Sequence, residues 1–216
     1  MKECWQRLRN EMVDKQLVLR GIHDELVLSA FRNVPRHCFV SKEVRRENAY
    51  SDHPLSIGNG QTISQPYMVA LMTELLQLKG EEKVLEVGAG SGYQAAILAE
   101  LAKEVYAVER IVFLAERAEQ NLSELGYNNV KVGIKDGTLG WEEFSPYDGI
   151  VVSAGAPSIP PVLIEQLSPE GRLVIPIGGT FSQTLTLVVK EQGKVVSSDV
   201  CSCVFVPLIG KQGWKK

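Results

Sequence analysis

A chain of 216 residues, 44% hydrophobic and carrying a formal net charge of −3, is long enough to bury one sizeable core and has the composition of an ordinary globular domain. Nucleic acid is disfavoured as a partner, because no Lys/Arg block exceeds the pairs Arg45-Arg46 and Lys215-Lys216, and phosphate binding needs a denser basic footprint. The N-terminal run MKECWQRLRNEM has no apolar stretch long enough for a signal peptide, and nothing downstream approaches a membrane span, so a cytoplasmic protein is expected.

The first predicted element is a helix from Lys2 to Arg20, with Trp5, Leu8 and Met12 on one stripe and Gly21 as its stop. A second helix follows from Asp24 to Asn33. The segment from Ile57 to Pro66, IGNGQTISQP, is polar and glycine-rich and leads into an apolar helix from Tyr67 to Leu78. Ser64 is the expected N-cap of that helix, with Pro66 in the first turn. A helix N-terminus attracts anions, so a hydroxyl there is also suited to hold a substrate carboxylate.

From Leu78 onward the elements alternate. Strand Lys83 to Val87 is followed by a helix from Tyr93 to Leu101, strand Glu104 to Val108, a helix from Ile111 to Leu125 and strand Val130 to Gly133. Then come strand Tyr147 to Ser153, helix Pro160 to Gln166 and strand Arg172 to Pro176. Such alternation predicts a mostly parallel sheet with helices on both faces, preceded by extra N-terminal helices. Two β-rich stretches, Thr184 to Lys190 and Lys194 to Phe205, flank Glu191, Gln192 and Gly193 and predict a closing antiparallel hairpin. Cys4, Cys38, Cys201 and Cys203 form no C-x-x-C pair, and the Cys201/Cys203 spacing puts both on one face of a strand. All four are expected to be reduced, with no metal bound.

The run VLEVGAGSGYQAAILA, Val84 to Ala99, carries the strongest chemical signal. A buried strand ends in Gly88, Gly90 and Gly92, where the missing Cβ lets the backbone turn and approach a ligand. Glu109 ends the next strand ~20 residues after Gly88, where a carboxylate accepts hydrogen bonds from both hydroxyls of a ribose. A dinucleotide fold wants G-x-G-x-x-G, yet Tyr93 occupies the place of the third glycine. Glu86, just before the turn, would set a negative charge beside two phosphates. S-adenosylmethionine fits better, since it has no phosphate and offers an ammonium and a sulfonium to a carboxylate.

Three blocks together resemble the protein-L-isoaspartate O-methyltransferase family: AYSDHPLSIGNGQTISQPYMVALM (Ala49 to Met72), the VLEVGAGSGYQAA turn, and PYDGIVVSAGAPSIPPVLIEQLSPEGRLVIPIG (Pro146 to Gly178). The ending CVFVPLIGKQGW, Cys203 to Trp214, is similar to that family's ending, so the resemblance covers most of the chain. It implies a Rossmann-like class I S-adenosylmethionine-dependent methyltransferase fold. A single domain, residues 1–216, is expected, with 1–78 supplying the helices and the substrate and cofactor loop and 79–216 the core and C-terminal closure.

The activity implied is methyl transfer from S-adenosylmethionine to the free α-carboxylate of an L-isoaspartyl residue in a peptide or protein, leaving S-adenosylhomocysteine. The ester then collapses to a succinimide that hydrolyses partly to normal aspartate. A carboxylate is already ionised at neutral pH, so no general base is needed, and catalysis lies in placing its oxygen about 3 Å from the methyl carbon and stripping it of water. By the same resemblance Ser64 is the active-site position, orienting the carboxylate. Gln61, Thr62, Ile63 and Ser64 line the junction of cofactor and substrate, Glu86, Gly88 and Gly90 meet the methionine part, Glu109 the ribose, and Asp136 with Gly137 the adenine edge. Val206, Pro207 and Leu208 close over the isoaspartyl peptide. The implied enzyme is a monomer that binds neither nucleic acid nor membrane. Two positions depart from the family pattern: Lys135 stands where many relatives have glycine, and Val69 where some have histidine. His23, His37 and His53 receive no role.

Other classes fit less well. Ser153-Ala154-Gly155-Ala156-Pro157 is not the Asn/Asp-Pro-Pro-aromatic motif of amine methyltransferases, and no cysteine lies there for cytosine C5 chemistry. Small-molecule carboxyl methylation shares the chemistry and differs only in the acceptor pocket. A noncatalytic cofactor-binding module would lack Ser64 and the C-terminal closure, and a dehydrogenase would bind nicotinamide.

Overall fold

The structure, a computed structural model, describes residues 2–41, 44 and 46–215. Met1, Arg45 and Lys216, which belong to the N-terminal run and the two basic pairs, lie outside the described residues. Helix α1 spans Lys2–Met12, and the chain stays coiled to Arg20 but changes its hydrogen bonding, through a π-helical turn Val13–Leu17 and a 3-10 turn Val18–Arg20. The single helix expected to run to Arg20 is therefore α-helical only to Met12. Packing decides this: Val13 and Leu17 are completely buried, and the wider turn sets both against the core. Gly21, at φ 93°, ends the run in the left-handed conformation that favours glycine. Helix α2, Glu25–Asn33, is capped by Asp24, whose carboxylate accepts the amides of Leu26 and Val27.

The polar segment before the third helix is a hairpin, with β1 (Leu55–Gly58) paired antiparallel to β2 (Gln61–Ile63). Asn59 and Gly60 turn it with φ of 52° and 70°, both positive as a two-residue type I′ turn requires. Helix α3 is Pro66–Leu76. Ser64 is not its cap, contrary to the sequence expectation. The N-cap position is Gln65, no side chain caps it locally, and the first donor to need a partner, the Tyr67 amide, is taken at 3.0 Å by Asp52 Oδ1. Pro66 has no N–H to satisfy, so the Ser64 hydroxyl is not drawn into the helix start.

The main sheet has seven strands in the order β5-β4-β3-β6-β7-β8-β9. These are β3 (Lys83–Val87), β4 (Glu104–Glu109), β5 (Val130–Ile134), β6 (Tyr147–Val152), β7 (Leu167–Gly178), β8 (Gln183–Glu191) and β9 (Lys194–Cys203). The first five in that order pair parallel, and β8 and β9 add antiparallel strands, joined by Gln192 and Gly193. Parallel strands buried on both faces alternate their side chains between two cores. Val84, Ala107, Val151 and Val174 point to one, and Leu85, Val108, Ile150 and Leu173 to the other. The first core takes α1, α2, α3 and two further helices, α4 (Tyr93–Ala99) and α5 (Val112–Glu124). The opposite core is covered by the five-residue α6 (Pro161–Glu165), by Trp141 and by Leu208.

The crossovers from β3 and β6 run to opposite sides, which opens a crevice beyond the carboxyl ends of these strands. No described helix is long and apolar enough to cross a membrane.

Candidate active site

The glycine turn after β3 is pinned to the end of β4. Val108 O accepts the amides of Gly88 and Ala89 at 2.8 and 3.1 Å. Glu109, only 7% exposed, accepts the Gly90 amide on Oε2 at 3.0 Å and the Ile111 amide on Oε1 at 2.9 Å. One carboxylate thus ties the turn to the start of α5, and its remaining lone pairs stay available to a ligand hydroxyl. Gly90, at φ 54°, has Ile57 of the hairpin so close above it that an added Cβ would sit 3.1 Å from Ile57 Cδ1.

Glu86 sits below the turn, 1% exposed, and its Oε2 has no hydrogen-bond partner. Burial, reinforced by the charge of Glu109, raises its pKa well above the usual carboxylate range, against the pull of the Ala95 amide. A buried carboxylate oxygen facing a cleft without a partner is the group an ammonium would satisfy.

These residues border a cleft of about 800 Å³, open mouth included. Of the residues singled out in the sequence, Gln61, Thr62, Ile63, Ser64, Glu86, Gly88, Gly90, Glu109, Gly137, Val206, Pro207 and Leu208 all line it. Asp136 does not. Its Oδ1 accepts the Thr138 amide and hydroxyl at 3.0 and 2.6 Å, and its Oδ2 the Lys211 amide at 2.8 Å. It caps the 3-10 turn that begins at Gly137 and anchors the C-terminal segment behind it. Gly137 approaches β3 so closely that a Cβ would lie 2.6 Å from Val87 Cγ1. Lys135 turns away, its ammonium 5.1 Å over the Trp141 ring, while Val69, given no role from sequence, lines the cleft.

The far wall comes from the chain's end. Gly155, in the loop after β6, donates its amide to Val206 O and accepts that of Leu208, both at 2.8 Å. The Phe205 amide goes to Gln183 Oε1 at 2.7 Å, and Trp214 Nε1 to Gly155 O at 3.0 Å. A second hollow, about 340 Å³ with its opening, lies beside the first, between Pro54, Gln65 and Met68 on one side and Val204 and Phe205 on the other. The two hollows share Thr62, Ser64, Ser153 and Val206. Ser64 therefore stands where a group in one space meets a group in the other.

Sequence reasoning missed Ile57, Ser91, Tyr93, Gln94, Arg110, Ile111, Ser153, Ala154 and Ile209 among the lining residues. Arg110, Ile111, Ser153 and Ala154 follow directly on the carboxyl ends of β4 and β6, which is the signal that would have found them. The histidines stand apart: His37 Nδ1 lies 2.7 Å from the Tyr50 hydroxyl, and His53 Nδ1 3.1 Å from Pro54 O.

Residues 7–213 match the family described as Protein-L-isoaspartate(D-aspartate) O-methyltransferase. The chain is 54% identical to protein-L-isoaspartate O-methyltransferase 1 of Syntrophobacter fumaroxidans, over 98% of each chain. It is 56% identical to the protein-L-isoaspartate O-methyltransferase of Geobacter metallireducens, over 95% of each. Among solved structures, a protein-L-isoaspartate O-methyltransferase superposes with a TM-score of 0.86 at 31% identity, covering 94% of this chain and 67% of the other. A beta-aspartate methyltransferase from Plasmodium falciparum, in complex with S-adenosyl-L-homocysteine, gives 0.81 at 28% identity, covering 92% and 96%.

Proposed function

The chain belongs to the protein-L-isoaspartate(D-aspartate) O-methyltransferase family, and from that premise we propose how its residues divide the work of the reaction. The enzyme methylates the free α-carboxylate of L-isoaspartyl residues in peptides and proteins, initiating repair to L-aspartyl through a methyl ester and a succinimide. S-adenosylmethionine, when bound, supplies a methyl group activated by the positive charge of its sulfonium, and S-adenosylhomocysteine is left.

The residues present suit that cofactor. The unpartnered Oε2 of Glu86 would meet its ammonium, the backbone at Gly88 and Gly90 would border its methionine part, and the spare lone pairs of Glu109 would receive its ribose hydroxyls. Gly137, packed against Val87 where a Cβ would not fit, lines the cleft where the adenine edge would lie, and Asp136 holds that turn in place from behind. Gln61, Thr62 and Ile63 form the boundary toward the acceptor.

Ser64 donates a hydrogen bond to one oxygen of the acceptor carboxylate and leaves a lone pair of the other free to attack. No side chain has to remove a proton, because carboxylates titrate near pH 4 and the acceptor arrives ionised. The segment Val206 to Leu208 closes over the peptide and excludes water, which strengthens every charge interaction inside. The position of Ser64 on the wall common to both hollows is the observation that carries this reading. We further infer that the enzyme acts without nucleic acid, from its low net charge and the absence of long basic blocks, in the cytoplasm, from the lack of an apolar stretch of signal-peptide or membrane-spanning length, and as a monomer, as the family resemblance implies.

The test is methyl transfer from labelled S-adenosylmethionine to a peptide with one L-isoaspartyl residue, beside the L-aspartyl peptide and a panel of small carboxylic acids. Label is expected on the isoaspartyl peptide alone. Ser64→Ala is expected to lower turnover by about tenfold or more while S-adenosylhomocysteine affinity stays within about twofold, as for an interaction made to the acceptor only. Equal loss of both would remove Ser64 from the acceptor role.

A further inference from the structure

Arg36 lines neither hollow, yet its side chain joins their walls. It is completely buried, at 0% exposure, and no ion pair among the described residues includes it. Nε donates to Ala49 O at 2.8 Å and Nη2 to Ser64 O at 2.8 Å, while Nη1 has no acceptor. The guanidinium carbon lies 4.8 Å from the centre of the Tyr93 ring. Tyr93 is the first residue of α4, borders the cleft directly after the glycine turn, and is held edge-on by Phe31 and Phe39.

Burying a guanidinium without a counterion is unfavourable, and an apolar side chain would fill the same space without that cost. What the apolar side chain lacks is a planar fork that grips two carbonyls from separate segments while sitting over an aromatic ring. One of those carbonyls belongs to the serine between β2 and α3, and the ring belongs to the turn on the cofactor side. We propose that Arg36 is a positioning residue for methyl transfer: it fixes the peptide plane of Ser64 and, through Tyr93, the spacing between Ser64 and the glycine turn. The inference rests on the acceptor role given to Ser64 above.

Four proteins separate the two ideas: wild type, Arg36→Lys, Ser64→Ala and the double variant. Lysine keeps the charge and loses the fork. Arg36→Lys is expected to lower kcat on the isoaspartyl peptide by about tenfold, since small misplacements are costly in rate, and to change S-adenosylhomocysteine affinity by less than about twofold. In the Ser64→Ala background the same substitution is expected to change kcat by less than about twofold, the signature of a residue acting through its partner. A full additional loss in that background overturns the proposal and assigns Arg36 to stability alone, as does an Arg36→Lys enzyme with normal kcat. An active Ser64→Ala enzyme instead removes the Ser64 reading itself, and this one with it.

Wild-type protein labelled with 15N-arginine covers the case in which Arg36→Lys does not fold. In the S-adenosylhomocysteine complex, the slowly exchanging guanidinium signal of Arg36 is expected to move when the isoaspartyl peptide is added and to stay with the aspartyl peptide. A signal that ignores both overturns the proposal.

Discussion

The carboxylate of Glu109 holds the amide of Gly90 at 3.0 Å, so the residue we assign to the ribose also sets the shape of the turn we assign to the methionine part. Its other oxygen holds the Ile111 amide, and neither oxygen is a donor. Glu109→Gln replaces one of them by an NH2 group that faces an N–H, leaving a buried donor unpaired. A cost of about 1–3 kcal/mol follows, and S-adenosylhomocysteine affinity is expected to drop by about tenfold or more. Calorimetric titration checks it. Glu109→Gln binding as tightly as wild type would show that the turn keeps its shape without the carboxylate.

Glu86 ties cofactor binding to pH. In the free protein burial, then the charge of Glu109, raises its pKa well above the usual carboxylate range, whereas an ammonium beside it requires the ionised form. Binding below the raised value therefore releases about one proton, and affinity for S-adenosylhomocysteine falls by up to about tenfold per pH unit as pH is lowered. The sign for stability is opposite. Above the ordinary range the folded free protein binds more protons than the unfolded chain, so its stability declines as pH rises toward the folded value. Titrations in buffers of differing ionisation enthalpy measure the proton count directly. Glu86→Gln is expected to bind weakly and without proton release, and to be at least as stable as wild type at pH 8 when free.

The alternation of strands and helices was legible from Lys83 onward because each parallel strand is a short apolar run bounded by a turn or helix start. Leu85 and Val84 reach different cores, yet both had to be apolar. The hairpin Leu55–Ile63 went unread although Asn59-Gly60 is a strong turn signal, since its strands are only four and three residues long, too short for their alternation to stand out. Ser64 looked like a cap because a hydroxyl near a helix start usually is one. Asp52, over a dozen residues earlier, satisfies that helix instead, and such a partner has no local signature. The same holds for Arg36 and Tyr93, whose contact is made only when the N-terminal helices fold over α4.

Asp136 should act on the chain's end more than on the cleft. Burial pushes its pKa up, but the Thr138 hydroxyl and the amides of Lys211 and Thr138 outweigh it and hold the carboxyl below its ordinary range. A depressed carboxyl stabilises above the ordinary range and loses that contribution as pH falls through the folded value. Gly210 packs so tightly that a Cβ there would lie 2.1 Å from Asp136 Oδ1. The protection of residues 209–214, exchange measured against the unstructured rate at the same pH, is accordingly expected to fall below about pH 4, and Asp136→Ala to show the reduced protection already at pH 7. Unchanged exchange in the variant would mean that Gly155 and Trp214 hold the segment by themselves.

Gln183 is expected to act on the acceptor side in the same indirect way. At 3% exposure it accepts the Phe205 amide at 2.7 Å and donates to Gly179 O, and Gly155 leaves it room that a Cβ, 2.9 Å from Gln183 Cδ, would remove. Phe205 directly precedes the segment Val206 to Leu208. Gln183→Ala strands a buried amide, costs about 1–3 kcal/mol and should lower the melting temperature by roughly 2–4 °C per kcal/mol. With that support gone, KM for the isoaspartyl peptide is expected to rise by about fivefold or more, while S-adenosylhomocysteine affinity changes little, because the cofactor turn is pinned separately by Val108 and Glu109. Gln183→Glu keeps the acceptor for Phe205 but sets a carboxylate oxygen against the Gly179 carbonyl, so it should recover only part of the loss. A variant that melts early yet keeps its KM would separate the stability of this strand end from the closure of the site.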